Sequence, residues 1–261
     1  MKKLFALSMI AASGWANSVH AQDIMVVEMN DNTIYEYNVK DIDDVSFRYV
    51  GDLPSDSIAY HNCPDEHHPH LIDLGLPSGT KWACCNVGAS MPQEYGGYYA
   101  WGETEEKDIY NDVTYLYSSG IDTNGDGFYD EDISYQNIGD NIAGTEYAVA
   151  KQKWGGSWKM PTVEQCRELD LYCDSEWTTC NGVNGYLFTG ASGGSIFLPA
   201  GGHRSMWFTT FVDSYGYYWT SAPFDSGSIH TAYDYYFSSV YVVMEHCDMR
   251  FRGKSVRAVC Q

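Results

Sequence analysis

The chain has 261 residues, with 15 Lys or Arg against 35 Asp or Glu, a formal charge of −20. Aromatic residues reach 15% and charged ones only 19%, below the roughly 25% charge of an ordinary domain, which excludes a disordered chain. So acidic a balance also argues against nucleic acid and anionic membrane as partners, because both select a basic face.

Residues 1–21 begin with Lys2 and Lys3, continue as an apolar run from Leu4 to Ala12, and end on Val19-His20-Ala21. That is the layout of a secretory signal peptide. The run is too short to cross a bilayer, which takes about 20 apolar residues. No Cys stands near the cut to carry a lipid, and no later stretch reads as a transmembrane segment. The mature chain is expected to be secreted or cell-envelope associated, in the periplasm, on the outer surface or outside the cell.

Residues 22–50 read as a small β unit. Ile24 to Met29 is apolar and β-prone, Asn30-Asp31-Asn32 is a turn, and Thr33 to Val39 alternates again. Residues 51–70 read as a linker, with Pro54, Pro64, Pro69 and several acids. Its run from His61 to His70 holds four His, but they match no known ligand spacing, so a solvated linker is the simpler reading.

Residues 71–261 form one domain of ordinary size. One helix is expected over about Thr145 to Lys153, ending at Gly155-Gly156. A second starts from a Thr162–Gln165 capping box and runs to about Cys173, with Cys166, Leu169 and Cys173 at helical spacing. Short strands are expected at Tyr186–Thr189, Ile196–Leu198, Tyr217–Thr220, Tyr233–Phe237, Val240–Met244 and Ser255–Val259. Helices followed by many strands read as α+β.

Between the first two of these strands, Gly190-Ala191-Ser192-Gly193-Gly194 matches a nucleophile pattern. It lacks the following helix such a turn needs, so it reads as a hairpin loop. Residues 122–130 match Asp-x-Asn-x-Asp-Gly, the first half of a calcium loop. Asp122, Asn124, Asp126 and Asp130, with the Phe128 carbonyl, are the candidate Ca²⁺ ligands. Ile133 replaces the bidentate Glu of an EF-hand, so the site is either a weaker isolated loop or a solvated acidic turn.

Several motifs occur together: Asp73 to Trp82 (DLGLPSGTKW), Asn86 to Ala89 (NVGA), Glu94 to Glu103 (EYGGYYAWGE), Trp154 to Thr162 (WGGSWKMPT) and Gly182 to Tyr186 (GVNGY). Ser195 to Ala200 (SIFLPA), Tyr217 to Ser221 (YYWTS) and Ser255 to Arg257 (SVR) complete the series. In this order they resemble the Fibrobacter succinogenes major paralogous domain, found in secreted and surface proteins of bacteria such as the Bacteroidetes. The resemblance covers about 71–261. It implies a C-type lectin-like domain with two helices and several short, mainly antiparallel strands, and a distant similarity to formylglycine-generating sulfatase-modifying enzymes. Ala148, Gln165 and Cys166 depart from the family's usual residues.

Eight Cys with no Cys-x-x-Cys pair, in an exported chain, permit disulfides. Cys173 and Cys180 flank the exit of the second helix and are expected to close a short loop. The resemblance, by bringing the domain's ends together, implies a second link between Cys85 and Cys260. Most aromatic residues, among them Tyr95, Tyr98, Tyr99, Trp101, Tyr215, Tyr217, Tyr218 and Trp219, are expected in the core. Tyr233, Tyr235, Tyr236 and Tyr241 lie outside the strongest motifs, and Tyr233 and Tyr235 are the candidate ligand contacts.

The expected function is a non-catalytic binding or adhesion module for glycans or surface proteins, with Ca²⁺ as the one candidate cofactor. The alternatives are a structural surface or fibre component, and an enzyme related to the formylglycine-generating group. A fold of this kind hosts unrelated functions, so only the site can decide.

Overall fold

The computed structural model of the chain describes residues 24–28, 34–38, 70–224 and 229–261. The chain divides into two compact units, residues 1–50 and 51–261. The signal segment and the linker with its His-rich run, His70 excepted, lie outside the described residues.

In the first unit, β1 (Ile24–Glu28) and β2 (Ile34–Asn38) pair as an antiparallel hairpin. The turn residues expected at 30–32 fall between these two strands in the sequence.

In the second unit, β3 (Leu71–Asp73) and β4 (Lys81–Ala83) are followed by the hairpin β5 (Ser118–Ile121) and β6 (Glu131–Tyr135). Helices α1 (Val149–Trp154) and α2 (Val163–Tyr172) come next. Then follow β7 (Cys173–Cys180), β8 (Val183–Gly190), β9 (Ser195–Pro199), β10 (His203–Ser205) and β11 (Phe208–Thr210). The chain closes with β12 (Tyr215–Pro223), β13 (Thr231–Ser238), β14 (Tyr241–Met249) and β15 (Val259–Cys260).

This corrects the α+β, C-type lectin-like expectation. The described residues hold fifteen strands and two helices, and the strands form six small sheets rather than one lectin-like framework. Stretches not expected as strands pair instead: β5 with β6, β10 with β11, and β7 with β8, the last of which contains the expected strand at Tyr186–Thr189. The first helix is also shorter than expected. Residues 145–148 form a hydrogen-bonded turn, and α1 has no side-chain cap at Ala148.

Local chemistry accounts for what was foreseen. Thr162 accepts from the Gln165 amide, and the Gln165 side chain accepts from the Thr162 amide, so both halves of the capping box are made. Gly155, at φ 66°, ends α1. The Gly190–Ser195 stretch is the expected hairpin turn. Gly190 also lies so close to the Leu74 backbone that any side chain there would collide.

The two larger of four apolar clusters among the described residues make up most of the unit's core. One gathers Trp101, Trp219, Ile142, Met160 and Val256. The other seats Cys166 and Leu169 of α2 against Phe188, Tyr218, Tyr235 and Phe237. Burial of such side chains contributes roughly 1.5–3 kcal/mol each. The chain's end is secured by backbone pairing, with Val259 and Cys260 against Trp82 and Lys81 of β4. Buried Arg257 donates to Asn86 Oδ1 and to the carbonyls of Ala83, Cys84 and Phe197.

Candidate functional site

Side chains alternate between the two faces of a strand, and this sorts the rings of β12, β13 and β14. Tyr218, Tyr235 and Phe237 belong to the cluster under α2. Tyr215, Tyr217 and Tyr236 take the opposite side. Tyr236 is stacked on Tyr215, with ring centroids 5.7 Å apart and planes 11° from parallel, and on Tyr217 at 4.7 Å. The row continues from Tyr236 to His246 at 4.9 Å and to Tyr241 at 5.6 Å. Tyr241 is 43% exposed, and Phe211, against Tyr215, is 53% exposed. Trp207 and Phe208, around the β10–β11 turn, are also exposed. The result is a run of aromatic faces and edges in which Tyr217 is buried, Tyr215, Tyr236 and His246 are half-buried, and Tyr241 and Phe211 at the ends are exposed.

Two hydroxyls of this row, those of Tyr217 and Tyr236, are held in the protonated form. Tyr236 and Tyr241 share a hydrogen bond of 2.8 Å. Burial pushes the Tyr217 hydroxyl up to about 12, and burial with the Tyr241 contact raises Tyr236 as well. Each can therefore act as a hydrogen-bond donor across the physiological range.

Beneath the row lies a compact charge cluster. Lys254, fully buried, sits 2.8 Å from Asp234 Oδ2, 2.9 Å from Asp248 Oδ2 and over the Trp219 ring at 4.2 Å. His246 Nδ1 donates to Asp234 Oδ1 at 2.7 Å, which fixes the imidazole within the row. Burial pushes the Asp248 carboxyl up, but Lys254 and Arg252 outweigh it and hold the group below its ordinary value. His203, edge-on to Tyr217 at 4.8 Å, is driven by burial down to about 4. These groups neutralise one another and support the aromatic surface from within.

The sequence-based candidates fare unevenly. Tyr233 is half-buried at the start of β13 and packs edge-on to Phe224. Tyr235 is 1% exposed and donates to Asp170 Oδ1 on α2, so its assignment as a ligand contact is corrected. Alternation paired Tyr233 with Tyr235, but the covering of that face by α2 decided their exposure. The row on the other face was missed as a site, although Tyr236 belongs to the alternating run.

The candidate calcium residues come together in the β5–β6 loop, where the oxygens serve the loop itself. Asp122 accepts from the amides of Gly125 and Gly127, Asn124 from Asp126, and Asp126 from Phe128. Asp130 accepts from the Thr123 amide and hydroxyl, which lower its pKa. Among the described residues, no three His, Cys, Asp or Glu side chains are grouped to hold a metal ion.

Neither expected disulfide is formed. Cys173 and Cys180 stand at opposite ends of the eight-residue β7, paired with Gly190 and Val183. An extended strand sets them about 23 Å apart, beyond the roughly 7 Å a bridge allows. Cys85 Sγ lies against Cys84 Sγ at 3.8 Å and the Ala89 carbonyl at 3.3 Å, whereas Cys260 Sγ contacts Ser157 Oγ at 3.4 Å. The chain's end does meet the early part of the unit, as expected, but through β4 and β15.

Among the described residues, no helix is long and apolar enough to cross a membrane. No family model, curated protein or solved structure matches the chain.

Proposed function

We propose that the 51–261 unit is a non-catalytic binding module that recognises glycans on the aromatic face of β12, β13 and β14. The observation that carries this reading is the row Tyr215–Tyr217–Tyr236–Tyr241 with His246, stacked and partly open on one side of a sheet. Aromatic faces cover the apolar C–H side of a sugar ring at little entropic cost, while fixed hydroxyls and a carboxylate-held imidazole meet its hydroxyls. The signal-like leader and the motif resemblance to surface proteins support an exported setting for such a module.

A thiol-based enzyme is the weaker reading. Cys166, Cys173, Cys180 and Cys247 all have pKa values raised, by burial first, and thiols of that kind are poor nucleophiles. The glycan reading is tested by screening the purified chain on a glycan array beside a Tyr236→Ala/Tyr241→Ala variant. Binding by the native chain that the double variant loses supports it. A native chain that binds no glycan, or one that turns a substrate over and loses turnover when a single Cys is changed, overturns it.

A further inference from the structure

The β10–β11 hairpin holds large rings in solvent at a cost to its own backbone. Ser205 pairs with Phe208, so the strands are joined by the two-residue turn Met206-Trp207. Trp207 is 57% exposed and Phe208 59%, and Phe211 follows them, also exposed. Met206 has φ 54° and Phe211 φ 63°. Tight hairpin turns favour Gly, Asn or Asp at such positions, and positive φ is costly for a bulky side chain. The surroundings hold the strain in place. Met206 and Tyr110 exchange reciprocal backbone hydrogen bonds of 2.8 Å, and Arg204 and Gly253 exchange another pair at 2.7 and 2.9 Å. Gly202 lies so close to the Thr210 carbonyl that any side chain there would collide. Strain maintained in this way is a recurring mark of ligand-binding surfaces.

The hairpin's rings continue the aromatic row. His203–Thr210 and Ser205–Phe208 are alternate pairs of one ladder, so Phe208 points to the same side as His203. The His203 ring packs on Tyr217 at 4.8 Å and on Phe211 at 5.8 Å, and Phe211 meets Tyr215 at 5.1 Å. Phe208 therefore stands on the side of the row, about 7 Å along the ladder from His203. Trp207 lies next to it, with ring centroids 5.5 Å apart. The surface thus has exposed rings at both ends, Tyr241 at one and Phe208 with Trp207 at the other. It is also uncharged on the hairpin side. Arg204 is the one Lys, Arg, Asp or Glu from 203 to 212, and its guanidinium lies over the Tyr110 ring and donates to the carbonyls of Lys107 and Asp108.

We propose that the hairpin is the outer part of the same binding surface and that its ligand is an uncharged, extended oligosaccharide, laid from Tyr241 past Tyr236, Tyr215 and Phe211 to Phe208 and Trp207. This rests on the glycan reading of the row. One sugar covers one ring, so exposed rings at both ends are engaged together only by a chain. Each further sugar then adds contact as an intramolecular step, without a second cost of association.

The test is calorimetric titration of the full chain with cellobiose, cellotetraose and cellohexaose, neutral and nearly straight chains of increasing length. Affinity should rise along the series, with cellohexaose at least about tenfold tighter than cellobiose. Trp207→Ala/Phe208→Ala changes two exposed rings and should keep the native melting temperature. It should bring cellohexaose down to the affinity of cellobiose and leave cellobiose unchanged, whereas Tyr236→Ala/Tyr241→Ala should weaken both. If the hairpin double variant does not fold, Trp207→Ala alone decides by the same comparison. Equal affinity of the native chain for cellobiose and cellohexaose, or native cellohexaose affinity in a folded hairpin variant, overturns the extended-chain proposal and leaves the glycan reading standing. A native chain that binds none of the three overturns the proposal as well, and the glycan array then decides the reading of the row on its own.

Discussion

His203 is the residue whose protonation most directly couples the fold to pH. Its folded pKa is driven by burial to about 4, against about 6.5 in an unfolded chain. Above pH 6.5 both states are neutral and the stabilisation is complete. As pH falls from 6.5 towards 4 the unfolded chain takes up a proton that the folded chain refuses, so stability declines, by about 3 kcal/mol in all. Denaturant unfolding across that window should show the loss, and His203→Gln should flatten it. Lys254 makes the opposite demonstration. Its removal leaves Asp234 and Asp248 buried without their cation. Lys254→Met should therefore cost about 3–5 kcal/mol at pH 7, measured by the same unfolding curves.

At the scale of elements, α2 shows what local sequence can specify. The Thr162–Gln165 reciprocal bonds are encoded within four residues, and the helix starts where they predict. Thr162→Ala should lower stability by about 1 kcal/mol, read as a fall in melting temperature. The hairpin at 190–195 was legible for the same reason. By contrast, β7 was hidden. Asp174, Ser175 and Glu176 are turn-prone or poor strand formers, and their strand character comes from pairing with Thr189, Phe188 and Leu187. That hairpin pairing, through the two-residue turn Asn181-Gly182, made the expected disulfide-closed loop an extended edge strand. The α+β, lectin-like expectation failed although both expected helices are present, because segments not expected as strands found partners in two- and three-stranded sheets.

Over the whole molecule, the site was legible only in part. Abundant rings and a regular alternation at 233–241 pointed to β13 and β14, but which face stays open depends on where α2 lies, and alternation carries no such information. The register shift between Asp234 and Tyr236 against β14 further separates local pattern from final placement. The acidic 122–130 loop belongs to this scale too, since Ca²⁺ would have to draw Asp122, Asp126 and Asp130 away from the loop amides they now serve. A calcium-binding loop should raise the melting temperature at millimolar Ca²⁺, reversed by chelation and lost in Asp126→Ala. An acidic turn alone would give no shift.

The central claim is that the open aromatic row, rather than the buried rings or the cysteines, makes the binding surface. Its most direct measurement is a calorimetric titration of the strongest array glycan into the native chain and into Tyr241→Ala, at matched melting temperature. Tyr241 is exposed at the row's end, so its loss should leave the fold intact and weaken binding about tenfold, the roughly 1.4 kcal/mol of a modest hot spot. Equal affinity in the two proteins would contradict the account.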